Sequence, residues 1–229
     1  MAARSGAPIF AAMKAGVQAM VNNNELTLLP QKAIYWEAEN TLLLADLHLG
    51  KINHFRKSGY PVPPRANDAN TAQLIDLLNH FKPSRTLFLG DLFHSHYNEE
   101  WEVLGQIVKH FSTCSFELIL GNHDIMSEVQ YQRHQLKVHE TLLVGNLLLT
   151  HEPQEPAEEG WYNLAGHIHP GARLVGGAKQ ALTLPCFYFG TRQGILPAFG
   201  SFTGLYRVPV KRNDRVYVVA EGEVVKVAG

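Results

Sequence analysis

Cysteine is scarce in this sequence: Cys114 and Cys186 are the two among 229 residues, and they form no Cys-x-x-Cys pair. That spacing argues against a disulfide framework and against a zinc site built from thiolates. Long apolar runs are also missing, because no stretch approaches the roughly 18–20 apolar residues that a membrane-spanning helix requires. These absences predict a protein of a reducing compartment without a membrane partner, and we expect it in the cytoplasm.

Neither sign of charge dominates, since 20 basic and 21 acidic residues leave a formal net charge of −1 at pH 7. Such a protein has no overall positive field that attracts a polyanion, so any nucleic acid has to be held locally. Residues 51–67 are the acid-free exception. Their basic side chains are Lys51, His54, Arg56, Lys57 and Arg65. The stretch is either a solvated loop or a basic lip that contacts phosphates.

The length and composition, with 45% hydrophobic and 18% charged residues, fit one large α/β domain or at most two small ones. Residues 8–21 resemble a weak signal segment, but Lys14 and Gln18 interrupt its apolar part, and the absence of any acid before Glu25 is also a trait of transit peptides. We therefore expect a poorly defined N-terminal extension over 1–24. No internal repeat or linker interrupts the remainder, which predicts one domain over 25–229.

From residue 25 onward, short apolar runs alternate with helical periods. Helices are predicted over 68–81 and 98–111, where apolar residues recur on one face. The order strand, helix, strand is typical of a mostly parallel layer, so the fold class is α/β. A hairpin is expected around Gly145-Asn146, and residues 172–229 are expected to form β-strands joined by Gly-rich turns.

Five apolar strands each end in side chains that can bind a metal. These side chains are Asp46 and His48, Asp91, Asn122, His151, and His167 with His169. A single His or Asp after a strand is usually an ordinary turn or core residue, but five such ends in one α/β sheet are hard to assign to chance. Because open α/β sheets bind ligands at the carboxyl ends of their strands, we expect all five to meet at one edge.

The candidate ligands comprise three oxygen donors and four imidazoles, with no thiolate. This mixture suits Mn²⁺, Fe or Zn²⁺ and exceeds what one ion can use, so two ions are implied. A carboxylate can bridge two such ions, and a pair about 3.5–4 Å apart is suited to in-line displacement at phosphorus.

The ordered motifs resemble those of the binuclear calcineurin-like metallophosphoesterase superfamily over residues 42–169. They are Asp46-x-His48, Gly90-Asp91, Gly121-Asn122-His123-Asp124, His151 and Gly166-His167-x-His169. The resemblance implies an α/β sandwich of mixed β-sheets flanked by helices, with the metal site at the strand ends. It implies one ion held by Asp46, His48, Asp91 and His169, and another held by Asp91, Asn122, His151 and His167.

The same resemblance assigns the chemistry. A metal-bridging hydroxide would attack phosphorus, and His123 would protonate the leaving oxygen, since a departing alkoxide needs a proton donor opposite the nucleophile. Asp124 would orient His123.

A narrower likeness, to the small bacterial ligase-associated DNA damage response endonucleases, spans nearly the whole chain after residue 25. Its motifs are Asp46-Leu47-His48-Leu49-Gly50-Lys51, Phe55-Arg56, Gly59-x-Pro61, Gly90-Asp91-Leu92-x-His94-Ser95 and Leu196-Pro197-Ala198-Phe199-Gly200-x-Phe202-Thr203-Gly204. It implies hydrolysis of DNA, as single strands or flexible ends, with two divalent ions that are most simply Mn²⁺. Lys51 and Arg56 would contact flanking phosphates, and a DNA ligase and a helicase would be pathway neighbours.

Two other interpretations stay open. The same centre could hydrolyse a phosphoprotein, a cyclic nucleotide or a nucleotide pyrophosphate, because specificity resides in loops that the sequence does not place. The fold could also serve as a non-catalytic scaffold, although His123 and every candidate ligand are present.

Overall fold

The computed structural model describes residues 15–50, 66–93, 99–176, 180–201 and 203–229, and their strands form two mixed sheets. The first sheet contains β1 (Val17–Val21), β2 (Asn24–Leu28), β3 (Ile34–Trp36), β4 (Thr41–Leu44), β5 (Arg85–Leu89), β6 (Ser115–Ile119) and β7 (Lys137–His139). These strands lie side by side in chain order. The pairs from β1 to β4 are antiparallel, and the pairs from β4 to β7 are parallel.

The second sheet contains the remaining nine strands. They are β8 (Leu142–Val144), β9 (Leu147–Leu149), β10 (Tyr162–Ala165), β11 (Pro170–Val175), β12 (Ala181–Phe189), β13 (Gln193–Ile195), β14 (Tyr206–Arg207), β15 (Arg215–Ala220) and β16 (Glu223–Ala228). Their order is β14-β11-β12-β13-β10-β9-β8, and β15 pairs with both β12 and β16. The strands β9, β10 and β13 are parallel to one another, so β9 and β10 send their carboxyl ends the same way.

Three α-helices are described, namely α1 (Ala66–Phe81), α2 (Glu99–His110) and α3 (Glu128–Arg133), together with a 3₁₀ turn at Glu37–Glu39. Successive residues of a strand face opposite sides of its sheet, and β4 shows how this builds the layers. Leu42 and Leu44 belong to the core that contains Trp101 of α2, whereas Leu43 belongs to the core that contains Phe187 of the second sheet. The fold is therefore helices, first sheet, second sheet, with one core between the helices and the first sheet and another between the sheets.

The outer face of the second sheet carries a smaller apolar cluster. Cys186, Tyr188 and Val216 are buried there. The other cysteine, Cys114, is buried in the core on the helical side, so the two thiols lie in different layers. Within the described ranges no helix is both long enough and apolar enough to cross a bilayer.

The predicted α/β class and most predicted elements are confirmed. The helices expected over 68–81 and 98–111 are α1 and α2, and the expected hairpin around Gly145-Asn146 joins β8 to β9. The C-terminal residues form β-strands that close with a hairpin at Glu221-Gly222 between β15 and β16.

The first sheet begins earlier than the sequence predicts. Val17–Val21 forms β1 and pairs with β2, although strands were expected only after residue 24. Asn22 and Asn23 connect them with φ angles of 46° and 64°, the left-handed conformation that two-residue hairpin turns require. Residues 17–24 thus belong to the sheet. Residues 1–14 lie outside the described part of the chain, and the domain boundaries otherwise remain a prediction.

Candidate metal centre

The five strand ends come together at one edge of the sandwich, but they come from two sheets and not from one. The ends of β4, β5 and β6 belong to the first sheet, and those of β9 and β10 belong to the second. Contacts across the layers join them: His151 Nδ1 lies 3.0 Å from the carbonyl of Leu89, and the backbone N–H of His167 donates to both oxygens of Asp46. The site therefore lies between the two sheets, whereas the sequence predicted that all five ends belong to a single sheet.

Two groups of possible ligand atoms result. Atoms of Asp46, His48 and His169 lie within 4.8 Å of one another, and so do atoms of Asp91, His151 and His167. The groups are adjacent, because Asp91 Oδ2 is 3.8 Å from His48 Nε2 while its Oδ1 is 3.4 Å from His151 Nε2. Asn122 joins the second group through Oδ1, 3.1 Å from His151 Nε2. All seven candidate ligands are thus brought together.

The environment of His151 fits a cation. A carbonyl oxygen only accepts hydrogen bonds, so the contact with Leu89 places the proton of a neutral ring on Nδ1. Nε2 then presents a lone pair toward Asp91 Oδ1 and Asn122 Oδ1, which are acceptors themselves, and it lies 3.0 Å from His167 Nδ1. A proton on His167 Nδ1 would satisfy His151 Nε2 alone, whereas a positive ion would satisfy all of these converging lone pairs.

Asp46 places a buried negative charge in the first group. Its side chain is fully buried, and a buried carboxylate is costly unless it is paired. One hydrogen-bond donor to it is the His167 N–H, while His169 Nε2 lies 3.5 Å from Oδ1 and 3.4 Å from His48 Nε2. A cation held among these atoms would compensate the charge.

The backbone is strained where the ligands leave their strands. The φ angles are 54° at Asp46, 48° at His48, 48° at Asp91, 65° at His167 and 51° at His169. This left-handed region is uncommon for residues with a side chain and costs on the order of 1–3 kcal/mol each. The surrounding packing therefore holds each strand end in a sharp turn that directs its ligand into the edge.

Gly90 provides the first test of this packing. Its φ of +77° is left-handed, and a Cβ at this position would overlap the ring of His151. Gly90→Ala should cost more than the about 1–2 kcal/mol of a left-handed residue and should also weaken metal binding. Gly145→Ala is the matched control, because φ is +57° there and no atom lies within 4 Å of the added Cβ. Chemical denaturation and metal titration would compare them; equal losses would contradict the proposed steric role.

His123 differs from the ligands in its exposure. Its side chain is 40% exposed, against 3% for His48 and 4% for His151. Its backbone N–H donates to Asp91 Oδ1 at 3.0 Å, and its Nε2 lies 4.0 Å from Asp91 Oδ2. The imidazole thus borders the two groups and is open to solvent, where it can meet a substrate.

Asp124, which the resemblance casts as the residue that orients His123, accepts two hydrogen bonds from the backbone. Its Oδ1 accepts from the backbone N–H of Phe93 at 3.2 Å, and its Oδ2 accepts from that of Gly121 at 2.9 Å. Burial raises the pKa of Asp124 to about 6, while these two hydrogen bonds act in the opposite direction. Asp124 therefore fastens the loop of Asn122 and His123 to the segment that follows β5, and its orientation of the His123 ring stays a prediction.

Phe199 and Gly200, which belong to one of the motifs of the narrower resemblance, give further support to the site. Their backbone N–H groups donate to the carbonyls of Ala45 at 2.8 Å and Asp46 at 3.1 Å. Lys32 Nζ donates in turn to the carbonyl of Gly200 at 3.2 Å. These bonds brace the turn that carries Asp46.

Lys32 should make stability depend on pH. Burial lowers its pKa from 10.5 to about 8. Between these values the unfolded chain binds more protons than the folded one, so the free energy of unfolding rises with pH, by about 3 kcal/mol in total. Lys32→Met should remove this rise between about pH 8 and about pH 10, as measured by urea unfolding. The exposed Lys109→Met should keep it, and identical slopes in the two variants would refute the assignment.

The predicted substrate contacts lie outside the described residues. Lys51 and Arg56 belong to the range 51–65, so their contacts with phosphates remain a prediction.

Comparison with known proteins agrees with the geometry. The model of the calcineurin-like phosphoesterase family matches residues 40–192. The crystal structure of Pseudomonas putida nuclease MPE is similar with a TM-score of 0.78 and 29% identity, covering 93% of this chain and 100% of that one. Yfce, a phosphoesterase from E. coli, has a TM-score of 0.43 and 15% identity, with 82% and 98% covered. A search of curated proteins found no match. Since the family model spans more than half of the sequence, the chain belongs to the calcineurin-like phosphoesterase family.

Proposed function

We propose that this metal-dependent phosphoesterase is a DNA endonuclease of DNA repair, which cuts phosphodiester bonds in single strands or flexible ends. The observation that carries the hydrolytic part is the pair of adjacent ligand groups, joined through Asp91, with the exposed imidazole of His123 beside them. The nuclease part is supported by the 29% identity to a nuclease over nearly the full length of both chains. The motifs shared with ligase-associated endonucleases point the same way.

In this proposal, some residues hold the metal ions and another donates a proton. Asp46, His48, Asp91 and His169 would hold one divalent ion, and Asp91, Asn122, His151 and His167 the other. When bound, such a pair supplies Lewis acidity that activates water and neutralises charge on the phosphoryl group. Asp91 Oδ1 positions His123 through its backbone N–H, and His123 would deliver a proton from its ring to the departing oxygen.

Mn²⁺ is the ion that we propose, with Fe or Zn²⁺ as alternatives. The centre offers carboxylate, amide and imidazole donors, which suit these ions. Both thiols lie in apolar clusters away from it, Cys114 on the helical side and Cys186 on the outer face of the second sheet.

The proposed cellular setting follows from the narrower resemblance. A DNA ligase and a helicase would act in the same pathway, and the cytoplasm would be the location. Nicked or flapped DNA would be the shared intermediate, because a ligase seals ends that an endonuclease has trimmed.

A circular single-stranded DNA gives the direct test, since only an endonuclease can open it. Protein loaded with Mn²⁺ should linearise the circle, and protein stripped of metal by a chelator should not. The competing substrates are a phosphoprotein, a cyclic nucleotide and a nucleotide pyrophosphate. Intact circles together with rapid hydrolysis of one of these would refute the endonuclease proposal and favour the alternative.

A further inference from the structure

The strands β11 and β12 extend beyond the edge at which the metal ligands meet. Ala165 at the end of β10 is level with Ile195 of β13, which pairs with Tyr188 of β12. The residues of β12 that precede Tyr188 therefore continue past the edge, where 181–185 pair with β11. Since β11 starts immediately after His169, this hairpin lies beside the candidate metal centre. Together with β14, which pairs with β11, it forms a surface that we call the wall.

Two arginines lie on one face of this wall. Arg207 of β14 is the cross-strand neighbour of Gly171, and Arg173 follows Gly171 by two positions, so the two arginines face the same side. The opposite face carries Ala172 and Val208, which are buried in the outer cluster. Both arginines are exposed, and they line a cavity of about 410 Å³ with Val208–Val210.

The wall is anchored directly to a candidate ligand. The backbone N–H of Tyr206 donates to the carbonyl of His169 at 2.9 Å, and that of Val208 donates to Gly171 at 3.2 Å. Within β11, which begins directly after His169, Arg173 lies about 7 Å beyond Gly171, at about 3.3 Å per residue. The arginines thus follow a path that leads away from the metal centre.

The charges of the two arginines are not compensated. Among the described residues, neither guanidinium has a carboxylate within ion-pair distance, whereas Arg85 pairs with Glu39. The lining of the cavity contains no acid. Like charges gathered without a counter-charge favour an anion, and the planar guanidinium matches the oxygens of a phosphate in a bidentate manner.

We propose that Arg173 and Arg207 bind the phosphates of the substrate strand next to the scissile one, and so make the enzyme prefer an oligonucleotide over an isolated diester. The proposal rests on the proposed function and deepens it. It also explains how a chain with a net charge of −1 can hold a polyanion, because the positive charge is concentrated beside the site.

The test compares Arg173→Gln, Arg207→Gln and the double variant on a single-stranded oligonucleotide and on a nitrophenyl diester. For each single variant, the ratio of kcat/KM on the oligonucleotide to that on the diester should fall roughly tenfold. The dependence of log(kcat/KM) on log(salt) should become shallower by about 0.7 per arginine. Lys226→Gln removes one positive charge from exposed β16, outside the cavity, and should change neither quantity.

Binding of a labelled oligonucleotide separates this proposal from the proposed function. Wild-type protein that binds through the two arginines but never cuts DNA would refute the endonuclease proposal alone. A double variant that binds and cuts DNA like the wild type, with the same salt dependence, would refute only the proposed phosphate-binding role of the two arginines. An equal loss on the oligonucleotide and the nitrophenyl diester would also overturn it.

Discussion

His123→Ala should lower turnover on DNA by about 10²–10⁴-fold and hydrolysis of a nitrophenyl diester far less. The departing alkoxide of a DNA strand needs a proton, whereas nitrophenolate leaves without one. The structure places the imidazole where it can serve, exposed and with Nε2 4.0 Å from Asp91 Oδ2. The measurement is kcat/KM of both substrates for the variant and the wild type.

The control for this variant has two parts. Metal content should stay at the wild-type level, because His123 is not among the two groups of candidate ligands. His110→Ala removes an exposed imidazole at the end of α2 and should leave both substrates unaffected. Equal losses on the alkyl and nitrophenyl leaving groups would contradict a proton-donating role and would point to a role in positioning.

The ligand positions were predictable because they depend on short-range rules. An apolar run that ends in Asp46 or Asp91 identifies a buried strand and its carboxyl end, and parallel strands bring such ends to one edge. The division between two sheets was not predictable in this way. It depends on β10 pairing with β9 and β13 and on His151 reaching the carbonyl of Leu89 in the other sheet, contacts that no local pattern encodes.

The hydrogen bonds of Asp124 illustrate a second limit. The resemblance implied that its carboxylate orients His123, and that role stays a prediction. The structure adds that both oxygens accept from the backbone N–H groups of Phe93 and Gly121. A sequence identifies a carboxylate beside an imidazole, whereas its hydrogen-bond partners depend on the fold of the loop.

The position of Arg173 and Arg207 on one face of the wall could not be predicted from the sequence either. The two arginines are separated by 33 intervening residues and neither lies in a basic run, so charge patterning singled out residues 51–67 instead. Only the pairing of Gly171 with Arg207 puts the guanidinium groups on one face. The hairpin of β1 and β2, in contrast, could have been predicted from Asn22-Asn23. Asparagine tolerates the left-handed conformation that a two-residue hairpin turn requires.

Asp91→Asn should abolish most of the turnover and lower the metal content of the protein from two ions to one or fewer. Asp91 is the carboxylate whose oxygens approach both groups, 3.8 Å from His48 Nε2 and 3.4 Å from His151 Nε2. The amide keeps the shape and can still accept from the N–H of His123. It removes the charge, however, and places an N–H₂ group where lone pairs are needed. Elemental analysis and Mn²⁺ titration measure the outcome.

Asp214→Asn is the matched control, because both carboxylates are 3% exposed and both accept from the backbone. Asp214 accepts from Tyr188 Oη at 2.7 Å and from the N–H of Lys211, outside the metal centre. Its replacement should cost about 1–3 kcal/mol of stability and leave metal content unchanged. Metal-free Asp91→Asn should be at least as stable as metal-free wild type, because it loses a buried charge that the N–H of His123 compensates only in part. If Asp91→Asn kept two ions, or if it were destabilised like Asp214→Asn, Asp91 would be a structural residue and the two groups would not share a bridge.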